Sequence, residues 1–296
     1  MTFKNLINES DLKYKILFMS DSLQEGRATG SAGSEVVKEM IITNFKVNKL
    51  KPLKSLYYTQ SFYIKSIIGR NIIGYIPASR PTDKCLVIGA HYDNIGKIDN
   101  KIYPGADANA SGTAALLCLS KIFGLLQVHE RPLINIIFVA FDAKELSLAG
   151  STYFANNLPV ESEDIICAIN IDQIGSTLAP PNKDTNYLLV LGKDYLPSKF
   201  SDLISMSNLG LNEPLDIDYT FYGSKAFLNT FYKLSDHYPL HKKNIPAVMF
   251  TAGINMNNYK ITDTEKHISY KVFINRIELL YKIIYKMAYN QIYNLP

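Results

Sequence analysis

CLVIGAHYDNIGKIDNKIYPGADANASG, residues 85–112, is the stretch from which the rest of the chain is read. Residues 85–90 form an unbroken run of apolar or small side chains that stops at His91 and Asp93. A strand buried on both faces has this composition, and an open α/β sheet places its functional side chains just beyond the carboxyl ends of such strands. The second half, residues 104–112, is a turn rich in Gly, Ala, Asn and Asp that leads directly into residues 113–119, TAALLCL, a segment of good helix propensity. A strand, a polar loop and a helix therefore follow in order.

Upstream, Leu12, Ile16, Met19 and Leu23 recur at helical spacing over residues 10–24, and a Gly/Ser-rich break at 27–34 separates them from a second helical segment at 35–45. Residues 57–67 alternate as a strand does, with 71–76 as its hairpin partner. Downstream, RPLINIIFVAF at 131–141 is rich in β-branched and aromatic residues and ends at Asp142; a helix is expected to begin at once, over AKELSLAGSTYFANN. Further buried strands are expected at 165–171, ending at Asp172, at 187–191 and at 245–250; residues 227–232 lead to Ser235-Asp236-His237. Over 268–292, Phe273, Ile277, Leu280, Ile284 and Met287 form one stripe opposite Lys271, Glu278 and Lys282, which predicts a long amphipathic helix docked on the core. Strands alternate with helices and no repeat is visible. The expected fold is one three-layer α/β/α sandwich with a central mixed β-sheet over residues 1–296, including a helical lead-in over about 1–50.

Composition narrows the function classes. With 47% hydrophobic and 20% charged residues, the 296-residue chain can bury a sizeable core and is not disordered. The net charge of +4 comes from scattered lysines without an aromatic-interleaved basic cluster, which argues against a nucleic-acid partner. No run approaches the roughly 18 apolar residues of a membrane span, and residues 1–18 lack a continuous apolar signal region. A soluble, cytoplasmic protein is expected. Cys85, Cys118 and Cys167 each sit in an apolar run and read as buried thiols; neither a disulfide frame nor a cysteine zinc knuckle has the spacing it needs.

His91, Glu145, Asp172 and His237 emerge at or just past strand ends in separate parts of the chain, and imidazole with carboxylate suits zinc. Singly they read as structural histidines, caps and turn residues. Together with the PGADANASG turn, the flanking Gly150-Ser151 and Ser235-Asp236, and the GRATGSAGSEVV lead-in, they resemble the clan MH zinc aminopeptidases, a family that includes bacterial leucyl aminopeptidases and glutaminyl cyclase. The likeness runs from about Gly26 to about Asp263. It implies a zinc-peptidase fold acting on a peptide or aminoacyl small molecule, with His91 and Asp172 as ligands of one zinc ion and Glu145 and His237 as ligands of a second. Asp93 would orient His91. His129, His241 and His267 match no ligand position and are expected on the surface.

The chain departs from the family pattern at three places. The family's metal-bridging Asp stands four residues before the end of the turn, where this chain has Ala108; Asp107 is adjacent and is expected to serve the turn. The family's general base, a Glu, is here Lys144, and an ammonium group cannot take a proton from a bound water. A His commonly found four residues before the Asp of Asp263-Thr264 is here Tyr259. The expectation is a zinc aminopeptidase-family protein that is catalytically impaired, a pseudoenzyme as the transferrin receptor is within the same fold. Lys144 would extend its ammonium toward Glu145, Asp172 or Asp107. The competing reading is an active single-metal exopeptidase or aminoacyl-amide hydrolase using His91, Asp172 and a shifted Asp107.

Overall fold

The structure is a computed structural model that describes residues 3–53 and 57–290. Its frame is an eight-stranded sheet in the order β1 (Thr59–Ile64), β2 (Ile67–Ile76), β6 (Asn135–Phe141), β3 (Cys85–His91), β7 (Ile165–Ile171), β10 (Ala247–Thr251), β8 (Tyr187–Leu191), β9 (Asp216–Asp218). The four central strands β6, β3, β7 and β10 are mutually parallel, and antiparallel pairings join β2 to β6 and β8 to β10. The sheet is thus mixed. A two-stranded hairpin, β4 (Gly96–Ile98) with β5 (Lys101–Tyr103), projects from the loop after β3.

Period-2 alternation assigns the side chains of the central strands to two cores. Leu86, Ile88 and Ala90 of β3 and Ile136, Phe138 and Ala140 of β6 face one side; Cys85, Val87, Ile137, Val139 and Phe141 face the other. The first side is covered by α2 (Glu9–Ser20), α3 (Ala32–Val47), α4 (Gly112–Leu126) and α9 (Tyr270–Tyr289), after the short α1 (Phe3–Leu6). α6 (Ser198–Leu209) joins the first side, with Phe200, Leu203 and Ile204 in the same core as α9; the second side carries α5 (Ala149–Asn156) and α8 (His237–His241), and α7 (Lys225–Phe231) packs against Tyr187, Leu189, Leu191 and Met249. These are the layers of an α/β/α sandwich. Phe138 is fully buried, so truncating it to Ala is expected to cost about 3–5 kcal/mol.

The amphipathic stripe of α9 docks as expected: Phe273, Ile277, Leu280, Ile284 and Met287 are all buried. Residues 291–292, which the sequence pattern included, lie outside the described residues. Ser31 caps α3 by accepting the Ser34 amide at 3.1 Å, which fixes where that helix starts after the Gly/Ser break.

The stretch Ala106–Leu126 is by length and composition apolar enough to cross a membrane, with a mean hydropathy of 1.3 in its most apolar window; it includes Asp107 and Lys121, and 83% of that window is buried inside the fold, as in a core helix. One expectation is corrected. The helix expected from Ala143 starts only at Ala149. Residues 143–148 form a turn instead, with Ala143, Ser147 and Leu148 at positive φ. Local propensity favours a helix there, but the Lys144 and Glu145 amides are bound by the Asp93 carboxylate, at 3.1 and 3.0 Å.

Candidate active site

Because β6, β3, β7 and β10 are adjacent and parallel, the loops leaving their carboxyl ends converge at one edge of the sheet. His91 closes β3, Lys144 and Glu145 follow β6, Asp172 follows β7, and His237 opens α8. His91 Nε2 and Asp172 Oδ1 are 3.4 Å apart, within ion-pair reach, although neither atom forms a hydrogen bond. The His91 Nδ1 atom lies 3.1 Å from the Asp93 carbonyl and 3.4 Å from its Oδ1. Asp93 therefore lies next to the His91 ring, and it also pins the turn that carries Lys144 and Glu145.

Burial works against a charge on His91, but Asp172 outweighs it and raises the imidazole pKa to about 10. Burial likewise opposes ionisation of Asp172, yet His91 and Lys144 hold its carboxyl below the usual range. The other Asp172 oxygen accepts from the Ser235 hydroxyl at 2.6 Å. His237 is fully buried; burial drives its pKa down to about 3, and neither ring nitrogen has a hydrogen-bond partner. Its ring packs edge-on to Tyr232 at 4.5 Å. Asp236 is fully buried beside it, and burial raises its pKa to about 7.

Lys144 lies beside Glu145 and Tyr259 and within electrostatic reach of Asp172. Its ammonium donates to Glu145 Oε1 at 2.9 Å and to Tyr259 Oη at 3.0 Å, and it sits 5.2 Å from the centre of the Tyr259 ring. The side chain is only 6% exposed. Burial alone would lower its pKa, but Asp172 and Glu145 raise it well above normal, so the group stays charged. A cleft of about 50 Å³ opens next to it, lined on one side by Lys144, Asp172, Gln173 and Tyr259 and on the other by Phe221, Phe231, Met249 and Ile254.

The turn from Pro104 to Gly112 is held by Arg27, Asp263 and Asn109, residues to which the sequence gives no such role. Arg27 is fully buried and donates to the carbonyls of Tyr92 (3.0 Å), Pro104 (2.7 Å) and Gly105 (2.9 Å), and to that of Met19. Asp263 accepts the Asp107 and Ala108 amides at 2.9 and 3.0 Å. Asn109 reaches across to the Ile171 carbonyl (2.9 Å) and accepts the Gln173 amide (2.8 Å), tying the turn to the end of β7. Gly112 is required by close approach: a Cβ there would lie 2.6 Å from the Ile171 carbonyl oxygen and 2.3 Å from Asn109 Oδ1.

Asp107 serves this turn. One of its oxygens accepts the Gly175 amide (2.8 Å), the Ser176 amide (3.2 Å) and the Ser111 hydroxyl (3.1 Å), and the other accepts from Asn255 (3.3 Å). A shifted Asp107 as a third metal ligand, which the single-metal reading needs, would leave those amides unbound. His129 is exposed, whereas His241 and His267, also expected on the surface, are both partly buried, His241 in an aromatic cluster with its ring 4.3 Å from Tyr195.

The donors do not fit a pair of zinc ions. A catalytic zinc usually takes three protein ligands. His91 and Asp172 offer one half-site two donors; at the other, Glu145 is engaged by Lys144, and Ala108 contributes a methyl group where a shared carboxylate is needed. Among the described residues, no three His, Cys, Asp or Glu side chains are grouped so that they could hold a metal ion.

Comparison with known proteins places this architecture. The chain is 30% identical over 217 residues to leucine aminopeptidase 1 of Aspergillus fumigatus, a match covering 70% of this chain and 52% of that protein, so the chain spans about half the length of that relative. It is 27% identical over 189 residues to leupeptin-inactivating enzyme 1 of Streptomyces exfoliatus, covering 64% of this chain and 37% of that protein. In structure it is similar to BSAP, a zinc aminopeptidase from Bacillus subtilis (TM-score 0.74, 14% identity, 96% of each chain), and to Porphyromonas gingivalis glutaminyl cyclase (TM-score 0.71, 18% identity, 96% of this chain and 99% of the other). The description of peptidase family M28 matches residues 71–284, from β2 to the last turns of α9. Strand order, the loops gathered at the sheet edge and this match lead to one assignment: the chain belongs to peptidase family M28.

Proposed function

We propose that this M28 protein is catalytically impaired: it retains the peptidase scaffold and the cleft beside Lys144, and lacks the zinc-dependent hydrolytic centre that the resemblance implies. One observation carries the reading: the Lys144 ammonium, buried and bonded to Glu145 and Tyr259, stands where the resemblance puts a general base. A protonated lysine cannot activate water for attack on a carbonyl, and loss of a general base alone typically slows such a step about 100- to 10,000-fold. Its positive charge offsets carboxylates that a metal would otherwise neutralise. Lys144 pairs with Glu145, and protonated His91 lies 3.4 Å from a carboxylate oxygen of both Asp172 and Asp93, so two cations meet three carboxylates. A peptide or aminoacyl compound remains the ligand class that M28 membership implies; the cleft of about 50 Å³ beside Lys144 has room for no more than a small part of such a ligand, against the apolar side chains of Phe221, Phe231 and Met249.

The test is hydrolysis of a panel of aminoacyl chromogenic amides with added Zn²⁺, by the unmodified chain and by Ala108→Asp combined with Lys144→Glu. Turnover confined to the double variant is the expected result. Turnover by the unmodified chain at a rate comparable to the double variant would sink the proposal and favour the single-metal enzyme.

A further inference from the structure

Around the carboxyl-terminal end of α8 lies a second cavity, of about 620 Å³, which the proposed function does not use. Three tyrosines and a histidine form its aromatic side. Tyr195 lies 4.8 Å from Tyr232 and 4.3 Å from His241 between ring centres, Tyr232 is 5.3 Å from His241, and Tyr238 is 6.2 Å from His241 in a stacked arrangement. Lys233 and Lys242 form its charged side. Among the described residues neither ammonium is paired with a carboxylate; Lys242 lies 5.3 Å from the Tyr238 ring centre, and no Asp or Glu lines the cavity.

We infer that this cavity is a binding site for a planar aromatic or heteroaromatic ring that carries an anionic group, phosphate or carboxylate. Its volume is in the range of small-molecule sites, about 300–1,000 Å³. Rings offered by the ligand find aromatic partners in Tyr195 and His241, and such stacking is tolerant of ring identity. The anionic group finds two ammonium groups whose charge no carboxylate answers, and it meets no like-charged residue in the lining. Tyr232 forms the wall between this cavity and the candidate site, with its ring 4.5 Å from His237 on one side and 5.3 Å from His241 on the other. A ligand in the cavity is therefore registered at His237 through Tyr232. None of this depends on whether the M28 centre is active.

Calorimetric titration of the full chain with two anionic rings, adenosine 5′-monophosphate and indole-3-acetate, tests the inference; neutral adenosine and inorganic phosphate are the controls. At least one anionic ring is expected to bind with a Kd below about 1 mM, and each control at least about tenfold more weakly. Binding of the nucleotide alone identifies phosphate as the head group, and binding of indole-3-acetate alone identifies carboxylate. Tyr195→Ala, and separately Lys233→Glu with Lys242→Glu, are each expected to weaken binding by about tenfold or more with the thermal midpoint unchanged. The His237 ring proton resonances are expected to shift on saturation. The inference is overturned if neither anionic ring saturates by about 10 mM, if inorganic phosphate or adenosine binds as tightly, or if both sets of substitutions leave binding intact.

Discussion

Lys144 Nζ and Tyr259 Oη lie 3.0 Å apart, so two of the three positions at which this chain departs from the aminopeptidase pattern are hydrogen-bonded to each other across the candidate site. They are 115 residues apart in sequence. The pair presents one donor–acceptor contact and one cation over an aromatic face, and its third member is the neighbouring Glu145. A buried ammonium needs such partners: without them the charge would be expelled or the site would rearrange.

Replacing Lys144 by Met removes the cation, leaves Glu145 without its bonded partner and leaves Asp172 to His91 and Ser235 alone. The expected loss is about 3 kcal/mol of stability, read from the urea midpoint at neutral pH. Midpoints within experimental error of each other would show that the ammonium does not balance the cluster.

Tyr259→Phe deletes only the hydroxyl. Tyr259 is partly exposed, so water can replace some of the lost bond, and a destabilisation of about 1 kcal/mol is expected. In a double-mutant cycle with Lys144→Met, the two effects are expected to be less than additive by about the same amount. Strict additivity would mean that the two side chains do not interact.

Arg27→Met leaves the carbonyls of Met19, Tyr92, Pro104 and Gly105 without their common donor inside the fold. A loss of at least about 3 kcal/mol is expected, together with faster amide exchange at Ala106, Asp107 and Ala108, whose amides all bond to Asp263. Unchanged exchange at those three amides would show that Arg27 does not hold the turn.

The ion pair between His91 and Asp172 gives a pH dependence of defined sign. The folded-state pKa of His91 is raised, so its contribution is complete below the unfolded value of about 6.5 and is lost as pH rises toward about 10. The pKa of Asp172 is lowered, so its contribution is present above about pH 4 and is lost as acid protonates it. The difference in thermal midpoint between the unmodified chain and His91→Gln is expected to shrink steadily from pH 6.5 to pH 10. A difference that is constant across that range would contradict a protonated His91.

Much of the scaffold is legible in the sequence because the central strands are long, apolar and β-branched: β7 and β8 match the expected bounds to the residue, and β3 to within one. Buried parallel strands leave little freedom in where they end. The edge elements were not legible. The hairpin of β4 and β5, the three-residue β9 and helix α6 lie in stretches of weak pattern, where packing against neighbours decides the outcome. The residues that occupy the candidate site could be named from motifs, but their roles could not. That Asp93 clamps two amides, that Asp263 and Arg27 hold the turn, and that Lys144 meets Tyr259 are all long-range contacts with no local signature. Arg27 had one signal available, a charged residue in a Gly/Ser stretch next to apolar helices; Arg276, buried against the carbonyls of Ile174, Ser176 and Tyr187, had a different one, a charged residue next to Ile277 of the apolar stripe of α9.

The most direct measurement is calorimetric titration of the chelator-treated full chain with Zn²⁺, with metal content determined after dialysis. If Lys144 stands in for the metal's charge, no tight zinc binding dependent on His91, Asp172, Glu145 and His237 will be seen, and Ala108→Asp with Lys144→Glu will bind close to two ions per chain. Two ions bound tightly by the unmodified chain, and lost on substitution of His91 or His237, would contradict the account.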